Sequence, residues 1–297
     1  MITDQYIDID DIDEENNKDQ NKKENFNGYN LISILGKGVS GTVWKAKRTD
    51  GKIVALKIVN DYDNPKKLNR LIKEVEILEK ISNPTCHPFL VCFNGYAHYP
   101  SSYFLIEMDL VEGSNLDKYS RSYRLKDPTT LYKHLLLIMK DIVKALSYLH
   151  QNSIIHKDIK PDNIIIENDL TPVLVDFGVS CFADTCNNGD NDNKCCHDIM
   201  GPVLYTSPES IRTKSSFYSS DVWAMGVTFY VAATGSVPFN IPDFKNGLKI
   251  LDIIKDEPIK ELHTSNKSLN FIVNRCLDKN PKTRITLDEI NKLLENY

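Results

Sequence analysis

The chain has 297 residues, 41% of them hydrophobic, and a net charge of −5, so it is long enough for one two-lobed domain or two small ones. This charge gives no sign of a basic face for nucleic acid, and no stretch reaches the roughly 18 apolar residues of a membrane-spanning helix. The start of the chain lacks a signal-peptide pattern and the seven cysteines are an odd number, which together favour the cytoplasm or the nucleus.

The acidic charge is concentrated in residues 1–28, which hold nine acidic and three basic side chains. High net charge with few apolar residues is typical of disordered segments. We therefore expect a disordered acidic tail over 1–28 and a folded domain over 29–297. The isoleucines and acidic residues that alternate over 7–12 are also compatible with a docking segment for a partner, although a solvated arm is the favoured interpretation.

A predicted strand over 29–35 runs into a glycine-rich stretch, residues 36–43. Glycines at this spacing let the backbone fold tightly and bring its amides against phosphate oxygens. The sequence continues as a strand over 42–47, so the helix that follows a dinucleotide-binding loop is missing. Taken alone, the stretch favours a plain hairpin turn.

Residues 53–59 predict a third strand, with Lys57 in its apolar centre. A buried ammonium without a partner is costly, so we expect Lys57 to contact a carboxylate or a phosphate. The apolar residues of 65–81 recur at helical spacing. Glu74 lies on the apolar face of this helix and Glu76 does not, so Glu74 is the predicted partner and Glu76 the alternative.

Two further strands, over 87–98 and 101–108, complete a strand-rich amino-terminal part. The sequence that follows has a different character. Apolar residues recur at helical spacing over 129–151, and this helix leads into the stretch 156–163. We therefore expect the carboxy-terminal part to be mainly helical.

The stretch 156–163 holds a carboxylate, an ammonium and a carboxamide, namely Asp158, Lys160 and Asn163. Two apolar runs follow it and predict an antiparallel pair of strands that leads into another carboxylate, Asp176. Such a pair would hold these four side chains around one small volume. The oxygens of Asn163 and Asp176 suit Mg²⁺, which prefers carboxylates together with substrate phosphates. Asp158 would then be free to take a proton from an incoming hydroxyl.

Together with Asp-Phe-Gly at 176–178, this stretch resembles the catalytic and metal-binding loops of eukaryotic-type protein kinases. Lys160 is the marker of the serine/threonine type. Lys157 departs from the family pattern, in which arginine is usual. A single ammonium group on a flexible side chain therefore replaces a planar guanidinium group. The strand–turn–strand context of 36–43 is similar to the family's phosphate-covering loop.

The resemblance implies an α+β fold of two lobes, with ATP and Mg²⁺ bound between a small β-rich lobe over about 29–109 and a larger α-helical lobe over about 110–297. It implies transfer of the γ-phosphoryl group to serine or threonine hydroxyls of a protein substrate. In that chemistry Asp158 is the base that orients the hydroxyl, and Lys160 stabilises the transferring group. Asn163 and Asp176 bind Mg²⁺.

The nucleotide site implied by the resemblance is formed mainly by the amino-terminal lobe. Its implied residues are Leu35, Gly36, Lys37, Gly38, Val39, Ser40, Gly41, Thr42, Val43, Ala55, Lys57, Glu74, Met108, Asp109, Val111 and Ile165. Within this set, Lys57 and Glu74 form the ion pair that holds the phosphates. Met108 guards the back of the adenine pocket and 109–111 form the hinge. A shifted register would make Ile106 the guard and place the next two residues in the hinge.

The resemblance also implies structural contacts in the carboxy-terminal lobe. Glu209 is expected to pair with Arg284. Asp221 is expected, from its place near the start of the most apolar helix, to cap that helix, and the resemblance implies that it also braces the backbone of the loop at His156. The family's stacked apolar column corresponds to Leu78, Phe93, His156 and Phe177. His156 is therefore interpreted as a packing residue and not as a base.

Residues 176–209 form a long segment without periodicity, which is typical of a functional or disordered loop and corresponds to the family's activation segment and peptide platform. Pro202 stands where the family usually has a threonine that bonds the catalytic aspartate. Proline has no donor, so we expect a lowered rate or a reshaped platform. Lys157 keeps a positive charge near this segment, so control by phosphorylation at Ser180 or Thr185 is compatible with the pattern. Lysine lacks the guanidinium group with which arginine binds a phosphate through two hydrogen bonds, and this weakens the expectation.

Five possible metal ligands cluster in the same segment: Cys181, Cys186, Cys195, Cys196 and His197. Their spacing lies at the edge of zinc-ligand spacings. Because adjacent ligands are geometrically awkward, free thiols in a polar insert are favoured over a zinc site. The acidic run 190–192 lacks the glycine and distal glutamate of a calcium loop, so we expect a solvated loop there.

Two alternatives remain open for the function. A pseudokinase would keep the fold as a binding module, and Lys157 and Pro202 are the departures that favour it. A small-molecule phosphotransferase of related fold is disfavoured by the Ser-Pro-Glu motif at 207–209, which resembles the peptide platform that such enzymes lack. The sequence indicates neither the substrate protein, nor the partner of the tail, nor the oligomeric state.

Overall fold

The computed structural model describes residues 25–26, 28–38, 41–60, 64–99, 103–185, 194–198, 200–242, 246–295 and 297. The tail up to residue 24 with its suggested docking segment lies outside these residues, as do Val39, Ser40, Cys186 and the acidic run 190–192. None of the helices in the described part of the chain combines the length and the apolar character that a membrane span requires.

The amino-terminal lobe is built on an antiparallel sheet. Its strands in the described residues are β1 (Asn25–Phe26), β2 (Tyr29–Gly38), β3 (Gly41–Arg48), β4 (Ile53–Asn60), β5 (Phe93–Tyr99) and β6 (Tyr103–Asp109), in the order β1-β2-β3-β4-β6-β5. The central strand β4 is apolar along its length because both faces are covered. Ala55 and Val59 belong to the main core, whereas Leu56 and Ile58 belong to a separate cluster. By alternation, Lys57 faces the main core.

Helix α1 (Pro65–Ser82) crosses this lobe beside the sheet. It begins after Asn64, whose side chain accepts a hydrogen bond from the amide of Lys66, and proline at the first helical position lacks only an amide that would have no partner there. Glu74 lies on the buried face of the helix and Glu76 is exposed. The predicted helix and the orientation of its two glutamates are confirmed.

The carboxy-terminal lobe is mainly helical, as predicted. Its helices in the described residues are α2 (Leu116–Arg124), α3 (Pro128–Gln151), α4 (Pro208–Thr213), α5 (Tyr218–Thr234), α6 (Gly247–Asp256), α7 (Lys267–Cys276) and α8 (Leu287–Leu294). Helix α3 buries one apolar stripe. Helix α5 is buried on nearly all sides, because α2, α3 and α7 pack around it. It forms the centre of this lobe.

Short strands lie where the lobes meet and in the segment beyond. They are β7 (Gly113–Asn115), β8 (Ile154–Ile155), β9 (Ile164–Glu167), β10 (Pro172–Leu174), β11 (Cys181–Phe182), β12 (Asp184–Thr185), β13 (Lys194–Cys196) and β14 (Ser216–Phe217). Strand β9 pairs with β10 and β7, β11 pairs with β8, and β13 lies between β12 and β14. The antiparallel pair predicted after residue 163 corresponds to β9 and β10.

The strand predicted over 87–98 is shorter than expected. Residues 87–92 form a loop, because their backbone pairs with the other lobe instead of with β6. The amide of Val91 donates to the carbonyl of Leu174, and the amide of Leu174 donates to the carbonyl of Phe89. The loop therefore attaches β10 to the amino-terminal lobe.

Two further predictions are corrected. Asn25 and Phe26, assigned to the disordered tail, pair with β2, and the ring of Phe26 lies 4.5 Å from that of Tyr103. The segment after residue 178, predicted to be without structure, contains β11, β12 and β13. Strands of two or three residues are too short to leave a periodic pattern in the sequence.

Candidate active site

Strands β9 and β10 position polar side chains between the two lobes. They pair antiparallel, with Ile164 opposite Leu174. The amide of Val175 then donates to the carbonyl of Asn163 at 2.9 Å. The residue before β9 and the residues after β10 therefore lie side by side, which brings Asn163 next to the loop of Asp176, as the sequence predicts.

Asp158 is buried, with 7% of its surface exposed. Its Oδ2 accepts hydrogen bonds from Nζ of Lys160 at 2.9 Å and from Nδ2 of Asn163 at 2.8 Å. Its Oδ1 is also buried and has no partner among the described residues. Since a buried oxygen without a partner is costly, Oδ1 is available for a donor that enters the cleft. A substrate hydroxyl is such a donor.

Lys57 forms a buried ion pair in the amino-terminal lobe. The side chains of Lys57 and Glu74 are each 3% exposed, and Nζ lies 2.6 Å from Oε1 of Glu74 and 3.6 Å from Oδ1 of Asp176. Burial alone would lower the pKa of Lys57, but the two carboxylates outweigh it and hold this pKa above its ordinary value. Lys57 is therefore a cation, and its partner is Glu74, as predicted.

Asp176 adopts a backbone conformation with a φ of 62°, which is uncommon for a residue other than glycine. Its Oδ1 accepts a hydrogen bond from the amide of Gly178 at 3.2 Å. A side chain on Gly178 would approach Oδ1 of Asp176 and Nζ of Lys57 to 3.2 Å, so glycine allows this close approach.

The charge of Asp176 suits a divalent cation. Burial would raise the pKa of this carboxyl group, but Lys57, the amide of Gly178 and other neighbours together outweigh it, so the pKa lies below its ordinary value. Asp176 is therefore ionised. Together with the carboxamide oxygen of Asn163, it supplies the hard oxygen donors that Mg²⁺ prefers.

The pairing of β4 with β6 bears on the predicted register at the adenine side of the cleft. Ala55 lies opposite Met108, so both side chains share the face that belongs to the main core. Glu107 lies on the other face, where it accepts hydrogen bonds from the hydroxyl of Tyr29 at 2.5 Å and from the guanidinium of Arg48 at 3.2 Å. Ile106 faces the same core, but the hinge of the shifted register would lie at 107 and 108, which are inside β6. This favours Met108 as the guard.

The predicted hinge begins where β6 ends. The side chain of Asp109 pairs with Lys52 at 2.8 Å, and its amide donates to the carbonyl of Cys92 at 2.9 Å. Residues 110–112 form no helix or strand. Residues 36–38 and 41–43 form the facing ends of β2 and β3. The remaining apolar residues predicted for the pocket are half-buried or exposed; they are Leu35, Val43, Val111 and Ile165.

Asp221 braces the catalytic loop from α5. Its two oxygens accept hydrogen bonds from the amides of His156 and Lys157 at 3.0 and 2.9 Å, and Nε2 of His150 lies 2.9 Å from Oδ2. Burial would raise the pKa of Asp221, but its contacts with His150 and with His156 together outweigh burial and lower the pKa. The brace is as predicted, whereas the cap is wrong. Helix α5 begins at Tyr218, and the carboxylate of Asp221 binds the loop.

One contact of the predicted apolar column is observed directly, and its other members lie in or against the main core. The rings of His156 and Phe177 lie 4.8 Å apart, Leu78 and Phe177 belong to the main core, and Phe93 packs against it. Burial lowers the pKa of His156, so its ring is neutral. This geometry supports a packing role for His156.

The pair of Glu209 and Arg284 is also present. Two nitrogens of Arg284 lie 2.6 and 2.8 Å from the two oxygens of Glu209. The same guanidinium donates to the carbonyl of Ser219 at 2.7 Å and lies 5.1 Å from the ring centroid of Trp223. It therefore ties α4 and the start of α5 to the segment before α8.

We expect Arg284→Ala to lower the free energy of unfolding by about 3–5 kcal/mol, because Glu209 would remain buried without its cation. Urea denaturation measures this change. Arg121→Ala is the control, since the side chain of Arg121 is 70% exposed in its pair with Asp117 and exposed pairs contribute little. Equal losses of stability in the two variants would contradict the prediction.

The partner of Lys157 was not predicted from the sequence. The side chain of Lys157 is 2% exposed and forms an ion pair with Asp198. Burial lowers the pKa of Lys157, and Asp198 opposes this. Ser180 is buried, and its hydroxyl donates to the carbonyl of His156 at 2.9 Å, so this conformation does not offer Ser180 for phosphorylation. Phosphorylation at Thr185 stays a prediction.

Two members of the cysteine cluster are bonded to each other. Cys181 in β11 and Cys196 in β13 form a disulfide with Cα atoms 6.5 Å apart, and Cys86 and Cys92 form another. Among the described residues, no group of three possible ligands is arranged to hold a metal ion. For Cys181 and Cys196, both the zinc site and the free thiols are therefore wrong.

The chain is similar to known proteins over most of its length. Residues 29–294 match the protein kinase domain. The MAP kinase kinase MKK1/SSP32 of Saccharomyces cerevisiae is 30% identical, over 93% of this chain and 54% of that protein. Mitogen-activated protein kinase kinase 3 of Arabidopsis thaliana is 30% identical, over 88% and 48%. Serine/threonine-protein kinase RAD53 of Saccharomyces cerevisiae is 31% identical, over 90% and 33%.

The chain spans between about a third and just over half the length of these relatives. The family match runs from the first residue of β2 to the last residue of α8, so it includes both lobes and every element that positions the site. The geometry of the cleft agrees with the resemblance seen in the sequence. On this extent of match, the chain belongs to the protein kinase family.

Proposed function

We propose that the chain is an ATP-dependent kinase that transfers the γ-phosphoryl group to serine or threonine hydroxyls of protein substrates. The observation that carries this proposal is the buried Oδ1 of Asp158, which has no partner among the described residues. Lys160 and Asn163 fix the other carboxylate oxygen. One oxygen of the carboxylate is therefore held by hydrogen bonds, and the other is free to accept a proton from a hydroxyl, as a general base requires.

In the proposed reaction, Oδ1 of Asp158 accepts the hydrogen bond of the incoming hydroxyl and takes its proton as the hydroxyl oxygen attacks the γ-phosphorus. The bond between the γ-phosphorus and the β,γ-bridging oxygen breaks at the same time, and ADP leaves with that oxygen. Lys160 stabilises the charge on the transferring group. Lys57 contacts the phosphates that are not transferred. Asn163 and Asp176 would hold Mg²⁺, which would supply positive charge against the phosphate oxygens. Each role requires a charge or an oxygen donor that the described geometry supplies.

Two features support this function over the alternatives. A pseudokinase has no need of an ionised Asp176 or of a buried ion pair at Lys57, and both are present. The pair of Glu209 and Arg284 supports the segment that follows the cleft. This favours a peptide acceptor over a small molecule.

The experiment is incubation with ATP, Mg²⁺ and a peptide library, followed by mapping of the phosphorylated residues by mass spectrometry. We expect phosphate on serine and threonine and none on tyrosine. Small-molecule hydroxyl acceptors should stay unmodified. ATP binding without transfer to any acceptor would contradict the proposal and favour the pseudokinase.

Pro202 is expected to lower the rate. Its carbonyl accepts hydrogen bonds from the amide of Tyr205 at 3.0 Å and the hydroxyl of Thr206 at 3.3 Å, but its ring has nothing to donate to Asp158. We expect Pro202→Thr to raise turnover about fivefold, which corresponds to roughly 1 kcal/mol for one hydrogen bond. Pro202→Ala is the control, because it removes the ring without adding a donor. Unchanged or lower turnover in Pro202→Thr would contradict the prediction.

We further propose a cytoplasmic or nuclear location, supported by the odd number of cysteines. Microscopy of the tagged full chain tests this, and recovery from the secretory pathway would contradict it. The substrate protein carries serine or threonine. A partner for the acidic tail stays a proposal.

A further inference from the structure

The disulfide of Cys181 and Cys196 joins two strands that have different neighbours. Cys181 lies opposite Ile155 in the pairing of β11 with β8, and the catalytic loop begins at the next residue, His156. Cys196 lies opposite Ser216 in the pairing of β13 with β14. The bond therefore connects the strand beside the catalytic loop to the strand that leads toward the peptide platform.

The two sulfur atoms are bonded next to a cleft lined by charged side chains. Cys181 and Cys196 are 5% and 6% exposed, yet both line this cleft of about 280 Å³. Its charged lining consists of the cations Arg70, Lys73 and Lys157 and the carboxylates Asp184 and Asp198, of which Asp198 pairs with Lys157. Neighbouring cations favour the thiolate form of a cysteine, which is the reactive form. They also attract a small anion that carries a sulfur atom. A structural cysteine buried among apolar side chains lacks such cations and is inert.

The bond lies close in sequence to the partner of Lys157. Asp198, two residues after Cys196, pairs with Lys157, which directly precedes the catalytic Asp158. The carbonyl of Asp198 accepts a hydrogen bond from the hydroxyl of Ser216 at 3.0 Å. Asp198 thus reaches Lys157 from the end of β13, and the bond at Cys196 holds β13 against β11.

We propose that Cys181 and Cys196 form a thiol–disulfide switch that exchanges with glutathione, and that the closed form keeps Asp198 on Lys157 and supports full activity. The regulatory part of this inference rests on the proposed function. The two cysteines are 15 residues apart in the sequence. A disulfide between them reduces the number of conformations that are available to the chain in the absence of the bond. Disulfides of reducing compartments commonly serve in redox sensing.

The exchange is balanced with glutathione disulfide as the oxidant. One protein thiolate attacks a sulfur of glutathione disulfide, forming a mixed disulfide and releasing one glutathione. The second protein thiolate attacks the protein sulfur of the mixed disulfide, forming the bond between Cys181 and Cys196 and releasing the second glutathione. Two electrons pass to the glutathione sulfurs, and the two thiol protons end on the released glutathiones.

The bond is measured first, without reference to activity. The full chain is equilibrated in buffers of increasing glutathione disulfide fraction, alkylated, digested without reductant and analysed by mass spectrometry. We expect a peptide linked through Cys181 and Cys196 to increase with that fraction. Its absence in every buffer would overturn the switch, whether or not the chain transfers phosphate.

Phosphotransfer to a peptide substrate is measured in the same samples. We expect turnover about three- to tenfold lower in the reduced protein, with ATP affinity unchanged. A linked peptide that forms without any change in turnover would overturn the regulatory part. Failure of all samples to transfer phosphate would overturn the proposed function, while the linked peptide would still decide whether the exchange occurs.

Variants separate the switch from general effects of oxidation. Cys196→Ala should have the turnover of the reduced protein in every buffer. Cys195→Ser, at the neighbouring cysteine, and Cys92→Ser, in the other disulfide, should keep the redox response. Asp198→Asn should still form the linked peptide but lose the response of turnover. Persistence of the full response in Asp198→Asn would overturn the connection through Lys157.

Discussion

Asp158→Asn is expected to lower turnover by about 10²–10⁴-fold, the usual contribution of a positioned base, and to leave ATP affinity unchanged. Asparagine preserves the size of the side chain, so the loop can keep its shape. The carboxamide cannot take the proton of the substrate hydroxyl. Steady-state kinetics with a saturating peptide measures turnover, and calorimetry measures the affinity for ATP.

Asp162→Asn is the matched control, because it makes the same substitution in the same loop at an exposed residue. We expect its turnover to stay within about threefold of that of the wild type, in line with the small effects of exposed substitutions. Turnover of Asp158→Asn close to that of Asp162→Asn would mean that another group receives the proton. The assignment of Asp158 would then be wrong.

The sequence was sufficient to predict a contact in two cases. In the first the two residues are close along the chain, and in the second burial of a charged side chain requires a partner of opposite charge. Asn163 and Asp176 are joined by one tight hairpin, so apolar runs of strand length were enough to bring them together. Lys57 lies in an apolar strand, and a buried cation requires a partner. The helical period then distinguished Glu74 from Glu76. These inferences used local patterns and one energetic rule.

The sequence was insufficient where partners are distant and no pattern connects them. Glu107 interrupts an apolar strand, and its partners Tyr29 and Arg48 lie in other strands, so the hinge register stayed open until the fold was known. Asp198 lies in a segment without periodicity, and nothing in that segment indicated that it pairs with Lys157. Such contacts are set by the tertiary fold.

Asp221 illustrates a different limit. An aspartate near the start of an apolar helix is a good candidate for a cap, and the sequence alone favoured this role. In the fold, the loop at His156 offers two amides to the carboxylate. The resemblance to the family, and not the helix pattern, correctly predicted this contact.

Lys57→Met is expected to lower turnover by about 10²–10³-fold, as loss of a positioned charge usually does. It is also expected to make stability depend on pH. Methionine has a similar length and is apolar, so it leaves little empty volume. Glu74, however, is 3% exposed and would lose its cation. We expect the free energy of unfolding to fall by about 3–5 kcal/mol at neutral pH.

The pH dependence follows from the protonation of Glu74. Burial raises the pKa of this carboxyl group, and Lys57 is the main group that opposes the rise, so the variant raises the pKa further. Above the unfolded value of about 4.3, folded Glu74 keeps a proton that the unfolded chain releases. The stability of Lys57→Met should therefore decrease as pH rises from about 5 to 8.

Adding Glu74→Gln to Lys57→Met tests this cause directly. Glutamine carries no charge at any of these pH values, so the double variant should lose the part of the pH dependence that comes from Glu74 and recover about half or more of the stability lost at pH 8. Urea denaturation of the wild type and both variants at pH 5, 6.5 and 8 measures these changes. If the stability loss in Lys57→Met were the same at all three values, Glu74 would have another partner or contact water. The buried ion pair would then not be what fixes Lys57 in the cleft.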